Sequence, residues 1–316
     1  MMKEADTAED LYPSRRRSQA EWLDRRDPVV HGLPGEEAPV DRSLIDAYVR
    51  DGFVVLDDVF TPAEVAVLAA EADALRGRGG LIPESRISER GQEGAGAVRS
   101  VFAPHRQSDV FERLSADERL AGLARFILGD EVYIHQSRIN YKPAFRGKDF
   151  YWHSDFETWH TEDGMARMRA VSMSVMLTDN HPQAGVTMFM PGSHMNYLTC
   201  VGETPDNHYR DSLKKQEYGV PDGASLTRLA EAGGIAGPAP KAGSVVVFDC
   251  NTMHGSNSNI TPYERVNAFF VFNAWSNRLT EPFGKTRPRP EFVAHRQVKQ
   301  PLRPAPARML ASAGET

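Results

Sequence analysis

Apolar residues recur at helical spacing in two early stretches of the chain and at alternate positions in several later ones. In the first helical stretch, Thr61 as N-cap, Pro62 at the first helical position and Glu64 as the third residue write a capping box. Val65, Leu68, Ala69 and Ala72 form the buried face, and Gly77 ends the helix. The second repeats this logic with Ser115 and Glu118 as caps, a face of Leu120, Leu123, Ala124 and Ile127, and a stop at Gly129-Asp130. A strand over Phe53–Leu56 precedes the first helix, and ordered structure is expected to begin near Leu44.

From Glu131 onward the texture changes to short β-like runs separated by Gly, Pro and Asn, at 132–134, 171–177, 187–190, 244–248 and 268–272. This predicts a mainly β fold with flanking helices, an antiparallel barrel or jelly roll. Alternation puts Val171, Met173, Val175 and Leu177 on one face of their strand and Ser172 and Ser174 on the other, which is expected to line a polar cavity. Residues 1–45 lack either period and predict an arm packed on the core. Residues 46–286 form a single domain with an insertion at about 203–240, and residues 287–316 an extended tail rich in Pro and Arg.

A chain of 316 residues with 41% apolar content can bury a full core. Its formal charge of -6 argues against nucleic acid or an anionic membrane as a partner. Two cysteines, Cys200 and Cys250, are too few for a stapled exported domain and read as free thiols. The first 17 residues carry scattered charges and no apolar run, so the expected location is the cytoplasm.

The densest chemistry lies in Phe150-Tyr151-Trp152-His153-Ser154-Asp155. Side chains at i and i+2 of a strand share a face, so His153 and Asp155 can grip one metal ion together. His254, in the turn-rich run Asn251-Thr252-Met253-His254-Gly255-Ser256, is the leading candidate for a third ligand. Two histidines and one carboxylate on one side of a metal leave open positions for a chelating co-substrate and dioxygen, as at a non-haem iron(II) centre. A closed zinc site would need a fourth protein ligand. Arg265, beside a strand after His254, suits a dicarboxylate, and its plain alternative is a surface salt bridge with Glu264. Lys142 could serve the same anion or be a solvated lysine. His160, placed on the same strand, would face away from His153, and the other histidines suit structural or surface roles.

The runs His135-Gln136-Ser137-Arg138-Ile139-Asn140-Tyr141-Lys142-Pro143 and Trp152-His153-Ser154-Asp155-Phe156-Glu157-Thr158-Trp159-His160 together resemble the signature of the ectoine hydroxylases, of the phytanoyl-CoA dioxygenase superfamily. The likeness continues through Pro191-Gly192-Ser193-His194, Cys200-Val201-Gly202-Glu203-Thr204-Pro205, Ser212-Leu213-Lys214-Lys215-Gln216-Glu217 and the stretch from Phe248 to Asn259. With Asp10-Leu11-Tyr12-Pro13-Ser14-Arg15 and Arg99-Ser100-Val101-Phe102 it spans nearly the whole chain.

The resemblance implies a double-stranded β-helix (jelly-roll) core, a homodimer, and Fe(II) held by His153, Asp155 and His254. It assigns Lys142, Arg265, Asn140 and Ser174 to 2-oxoglutarate. To ectoine it assigns Gln136, Trp159, Thr158, Ser256, Phe272 and Arg289. The implied activity is hydroxylation of ectoine to 5-hydroxyectoine with dioxygen, releasing succinate and CO2, in compatible-solute metabolism under osmotic and heat stress. Ala166 and Ala184-Gly185-Val186 depart from the family pattern beside the ligands and bear on loop shape. Competing functions are hydroxylation of proline or another small amino-acid-like solute on the same scaffold, and a metal-bearing barrel that binds a solute without turnover.

Overall fold

Period-two alternation in the second half of the chain builds one large antiparallel sheet. A computed structural model describes residues 10–16, 18–78, 82–88, 98–205, 207–213 and 218–306. In chain order the elements are β1 (Trp22–Asp24), α1 (Arg42–Asp51), β2 (Phe53–Leu56), α2 (Pro62–Gly77), β3 (Arg86–Ser88), β4 (Val98–Phe102), α3 (Asp109–Ala116), α4 (Glu118–Leu128), β5 (Val132–Lys142) and β6 (Phe150–His153). There follow α5 (Asp155–Thr158), β7 (Ala170–Met176), β8 (Thr187–Phe189), β9 (Asn196–Leu198), α6 (Tyr209–Ser212), α7 (Gly223–Gly233), β10 (Val245–Asp249), β11 (His254–Ser256) and β12 (Arg265–Ala274). Seven strands pair in the order β2-β10-β7-β12-β5-β4-β3, and a second sheet has the order β6-β11-β8. No helix among the described residues is long and apolar enough to cross a membrane.

The main core lies between the large sheet and α1 to α4. Val171, Met173, Val175 and Leu177 pack there against Leu68, Leu120, Ala124 and Ile127, as the two periodicities require. The opposite face of the large sheet, with Met176, Val246, Phe248 and Phe269, meets Phe189 of the small sheet. The functional side chains sit between the two sheets.

At the start of α2 the capping box is complete. Thr61 Oγ1 accepts from the Glu64 amide at 3.3 Å, and Glu64 Oε2 accepts from the Thr61 amide at 2.8 Å. Arg119 from α4 donates to Glu64 Oε1 at 2.7 Å, tying the cap to the next helix. Thr61→Ala is expected to lower stability by about 1 kcal/mol, read as a lower urea midpoint at unchanged slope.

The structure corrects several expectations. Regular structure starts well before Leu44, with β1 paired to β9, and Tyr12 is fully buried among Phe156, Trp159 and Tyr197. The second predicted helix is α4, preceded by an unpredicted α3, and Asp117, not Ser115, caps it by accepting from the Arg119 amide at 3.0 Å. Ser115 Oγ instead donates back to Glu112 within α3, at 2.7 Å. β5 runs to Lys142, far beyond the predicted 132–134, because its second half alternates apolar residues with polar ones that face a cavity. The run after His153 is helical, with Asp155 and Glu157 placing negative charge in the first turn of α5. His160 therefore lies in a π-helical turn, where its Nδ1 and Nε2 engage Met165 O and Asp10 Oδ1.

His105 packs beside the outer strands with Nδ1 hydrogen-bonded to Ser137 Oγ at 2.5 Å. Burial first, then His295 and Arg106, push its imidazole down to about 3. A histidine whose folded pKa lies below its unfolded value near 6.5 takes up its proton more readily when unfolded. Stability is therefore complete above about pH 6.5 and falls as pH drops towards 3. Urea midpoints across this window should fall less steeply for His105→Gln than for the wild type.

Candidate active site

β6 and β11 lie side by side, and their register sets His153 directly across from His254. Each imidazole is oriented from behind in the same way: His153 Nδ1 lies 2.8 Å from Tyr151 O, and His254 Nδ1 lies 3.0 Å from Thr252 O. A carbonyl only accepts, so both rings carry hydrogen on Nδ1 and turn the Nε2 lone pair inward. Asp155 does not reach them by strand alternation as the spacing predicted. The chain turns after His153, and Asp155 is the first residue of α5. Ser154 Oγ donates to Asn251 Oδ1 at 2.9 Å, which fastens this corner to the loop before His254.

One ligand atom from each of His153, Asp155 and His254 lies within 4.8 Å of the others. Asp155 Oδ1 is 3.6 Å from His153 Nε2, and Oδ2 is 3.8 Å from His254 Nε2. Burial acts to raise the Asp155 carboxyl, but His254, His153 and Arg138 outweigh it and hold it well below the usual carboxylate range. Burial and then His153 push the His254 imidazole down to about 4. Asp155 Oδ2 is buried without a hydrogen-bond partner among the described residues. An anionic carboxylate facing two imidazoles, with an oxygen left over, is the donor set of a divalent metal with open positions. These residues fit iron(II).

The triad borders a cavity of about 1040 Å³ that opens to solvent. Arg99, Arg138, Lys142, Lys148, Arg265 and Arg289 line it, against Asp155 as the one carboxylate among the described lining residues. A chain of net negative charge thus encloses a positive pocket suited to an anion. Lys142 and Arg265 are a cross-strand pair on β5 and β12. Lys142 Nζ donates to Ser256 Oγ at 2.8 Å and to Asn257 O at 2.5 Å. Arg265 Nη1 donates to Thr187 Oγ1 at 3.4 Å, and no carboxylate among the described residues pairs with it. Glu264 pairs with Arg76 instead, at 2.6 Å. Burial, with Arg99 adding to it, pulls the Arg265 guanidinium down to about 10. A cation buried at this cost calls for an anion.

Gln136, Asn140, Thr158, Trp159, Ser256 and Arg289 also line the cavity. Asn140 Oδ1 accepts from Ser100 Oγ at 2.8 Å, and Gln136 Nε2 donates to Val293 O at 2.7 Å. Trp159 meets His135 edge-on, centroids 5.1 Å apart, and Thr158 Oγ1 is buried without a partner among the described residues. Arg289 is held by Asp163, Nε to Oδ1 at 2.7 Å and Nη2 to Oδ2 at 2.5 Å.

Two expected contacts fall elsewhere. Phe272 is fully buried in the core on the helix side of the sheet and does not reach the cavity. Positions 265, 267 and 269 share one face of β12, so the aromatic residue presented to the cavity is Phe269. Ser174 lines a second cavity of about 240 Å³, which shares Thr187 and Phe269 with the first. Arg138 was overlooked, though it lies between Gln136 and Asn140 on the same face of β5; its guanidinium stacks over Phe269, 4.8 Å from the ring centre. The departure at Ala184-Gly185-Val186 packs against this machinery: Gly185 has φ 70°, and a Cβ there would lie 2.3 Å from Asn257 O and 3.0 Å from Lys142 Nζ. Residues 214–217, quoted for the resemblance, and 307–316 of the tail lie outside the described residues.

Comparison with known proteins adds to this geometry. A family model described as phytanoyl-CoA dioxygenase matches residues 48–267. The chain is 57% identical over 295 residues to an ectoine dioxygenase of Sphingopyxis alaskensis, covering 93% of this chain and 96% of the relative. It is 52% identical over 293 residues to an ectoine dioxygenase of Stutzerimonas stutzeri, with coverage of 93% and 96%. A crystal structure of EctD from S. alaskensis with 2-oxoglutarate and 5-hydroxyectoine superposes with a TM-score of 0.85 at 50% identity, covering 94% of this chain and 99% of the other. The structure of that protein with bound Fe gives 0.84 at the same identity and coverage.

Proposed function

This chain belongs to the phytanoyl-CoA dioxygenase family and within it to the ectoine dioxygenases, and from that premise we propose how its cavity turns ectoine into 5-hydroxyectoine. The reaction uses iron(II), 2-oxoglutarate and dioxygen and releases succinate and CO2. One observation carries the assignment of residues: an open three-donor face and a buried cation with no carboxylate partner among the described residues border the same cavity.

His153, Asp155 and His254 would hold the iron. When bound, the metal with its co-substrate and dioxygen supplies the oxidising power that replaces a ring C–H by C–OH. Arg265 and Lys142 neutralise the far carboxylate of 2-oxoglutarate, with Asn140 beside them on the face of β5. Ser174 lies behind this anchor, in the smaller cavity, and not beside Lys142 at the co-substrate. Trp159 offers an indole face to the amidinium of ectoine, Thr158, Ser256 and Gln136 offer hydrogen-bonding groups, and Arg289 offers positive charge near its carboxylate. Phe269, not Phe272, offers the aromatic face to ectoine. The apolar wall of Phe150 and Phe269 limits water near the reacting carbon, and the cations fix the co-substrate before the substrate enters.

Turnover separates this function from its rivals. With iron(II) and 2-oxoglutarate supplied, the protein is expected to form 5-hydroxyectoine and succinate in equal amounts and to prefer ectoine over free proline. Preferred turnover of proline, or ectoine binding without succinate release, would reject it. We also infer a homodimer in the cytoplasm serving compatible-solute metabolism under stress. Free, buried Cys200 and Cys250 are consistent with a reducing compartment, and light scattering at working concentration tests the dimer.

A further inference from the structure

We propose that Arg15, from the arm before the first helix, is a positioning residue that sets the ectoine-facing wall of the cavity through Glu157. This rests on the placement of ectoine against Thr158 and Trp159 proposed above. Arg15 sits far from the metal ligands in sequence, yet its side chain is almost fully buried against the helix that begins with Asp155. Its Nε donates to Glu157 Oε1 at 2.9 Å and its Nη2 to Glu157 Oε2 at 2.7 Å, a two-pronged clamp. Its Nη1 donates to Glu162 Oε1 at 2.7 Å. One guanidinium thus grips the turn that carries Thr158 and Trp159 on both sides, at 157 and at 162.

The same guanidinium also reaches the insertion. Arg15 Nη1 donates to Thr204 Oγ1, and the Arg15 amide donates to Cys200 O at 2.9 Å. Gly219 packs so tightly here that a Cβ would lie 2.5 Å from Glu157 Oε2, 2.6 Å from Arg15 Nη2 and 3.2 Å from Thr158 Oγ1. Leu213, between Thr204 and Gly219, lines the cavity. Arg15 therefore joins the Thr158–Trp159 wall to the segment that contributes Leu213. Its backbone has φ 56°, a conformation uncommon for a side chain as large as arginine, so the arm holds a bend that costs energy in order to deliver this group. Simple attachment of the arm would not require three acceptors on the far side of one turn. A lysine could place one charge there but could not span Glu157 and Glu162 together.

The test compares Arg15→Met, Arg15→Lys and the wild type in steady-state turnover, with KM for ectoine, KM for 2-oxoglutarate and the ratio of 5-hydroxyectoine to succinate measured for each. For Arg15→Met the expected result is a KM for ectoine raised at least tenfold, a KM for 2-oxoglutarate within twofold of wild type, and succinate in excess of hydroxylated product. Arg15→Lys should recover part of the loss. Unchanged ectoine KM and coupling in a folded Arg15→Met protein would overturn the proposal, and so would an equal loss towards both substrates. Should Arg15→Met not fold, Glu157→Gln decides: a raised KM for ectoine alone supports the proposal, and wild-type kinetics reject it. A wild type unable to hydroxylate ectoine would instead sink the proposed function itself.

Discussion

Alanine in place of His254 is expected to remove iron binding and turnover together while leaving the fold intact. Outer-shell changes at metal sites already lower affinity by about 10- to 100-fold. Loss of a direct donor should exceed that, and the remaining pair, His153 and Asp155, would hold the ion from one side only. The position is held by the pairing of β11 with β6 and β8 and by the bond from His254 Nδ1 to Thr252 O, so truncation leaves the strand in place. Anaerobic titration with iron(II) should show stoichiometric uptake by the wild type and none by His254→Ala at the same concentration, with superimposable circular dichroism. Retained stoichiometric uptake would remove His254 from the metal site.

Arg265→Ala should raise the KM for 2-oxoglutarate by about 30-fold or more while leaving the KM for ectoine close to wild type. Truncating one member of a buried, hydrogen-bonded ion pair costs about 2–5 kcal/mol, and each 1.4 kcal/mol is about a factor of ten. Arg265 is buried with only the Thr187 hydroxyl, at 3.4 Å, as its partner among the described residues, so little besides an anion can account for its charge. Arg265→Lys is expected to recover only part of the affinity, because an ammonium cannot make the paired bonds of a guanidinium. Succinate formation against 2-oxoglutarate concentration measures both variants. Equal effects on the two substrates would place Arg265 in the general framework of the barrel and not at the co-substrate.

The two-residue spacing of His153 and Asp155 placed the two side chains in one neighbourhood, but by a different geometry from the one that the structure has. A strand would have put both on one face; the chain instead bends into a helix whose first residue is Asp155, and bond partners such as Asn251 lie too far along the sequence to be inferred. Alternation along β7 gave the right core face, because apolar residues there point uniformly to the helices. The same rule holds on β5 and β12. Counting by twos from Lys142 leads to Arg138, and from Arg265 to Phe269, whereas Phe272 falls on the other face. Pairings between distant strands, His153 with His254 and Lys142 with Arg265, set the site and leave no local mark in sequence. The destination of Arg15 was not legible, since nothing near residue 15 names Glu157 as its partner.

A crystal grown and soaked without oxygen, with iron(II), 2-oxoglutarate and ectoine, tests the central claim most directly. The predicted result is one iron peak bonded by His153 Nε2, one Asp155 carboxylate oxygen and His254 Nε2, chelated by the co-substrate, with ectoine C5 facing the position left open. Iron bound elsewhere, or a fourth side chain closing the coordination sphere, would contradict it.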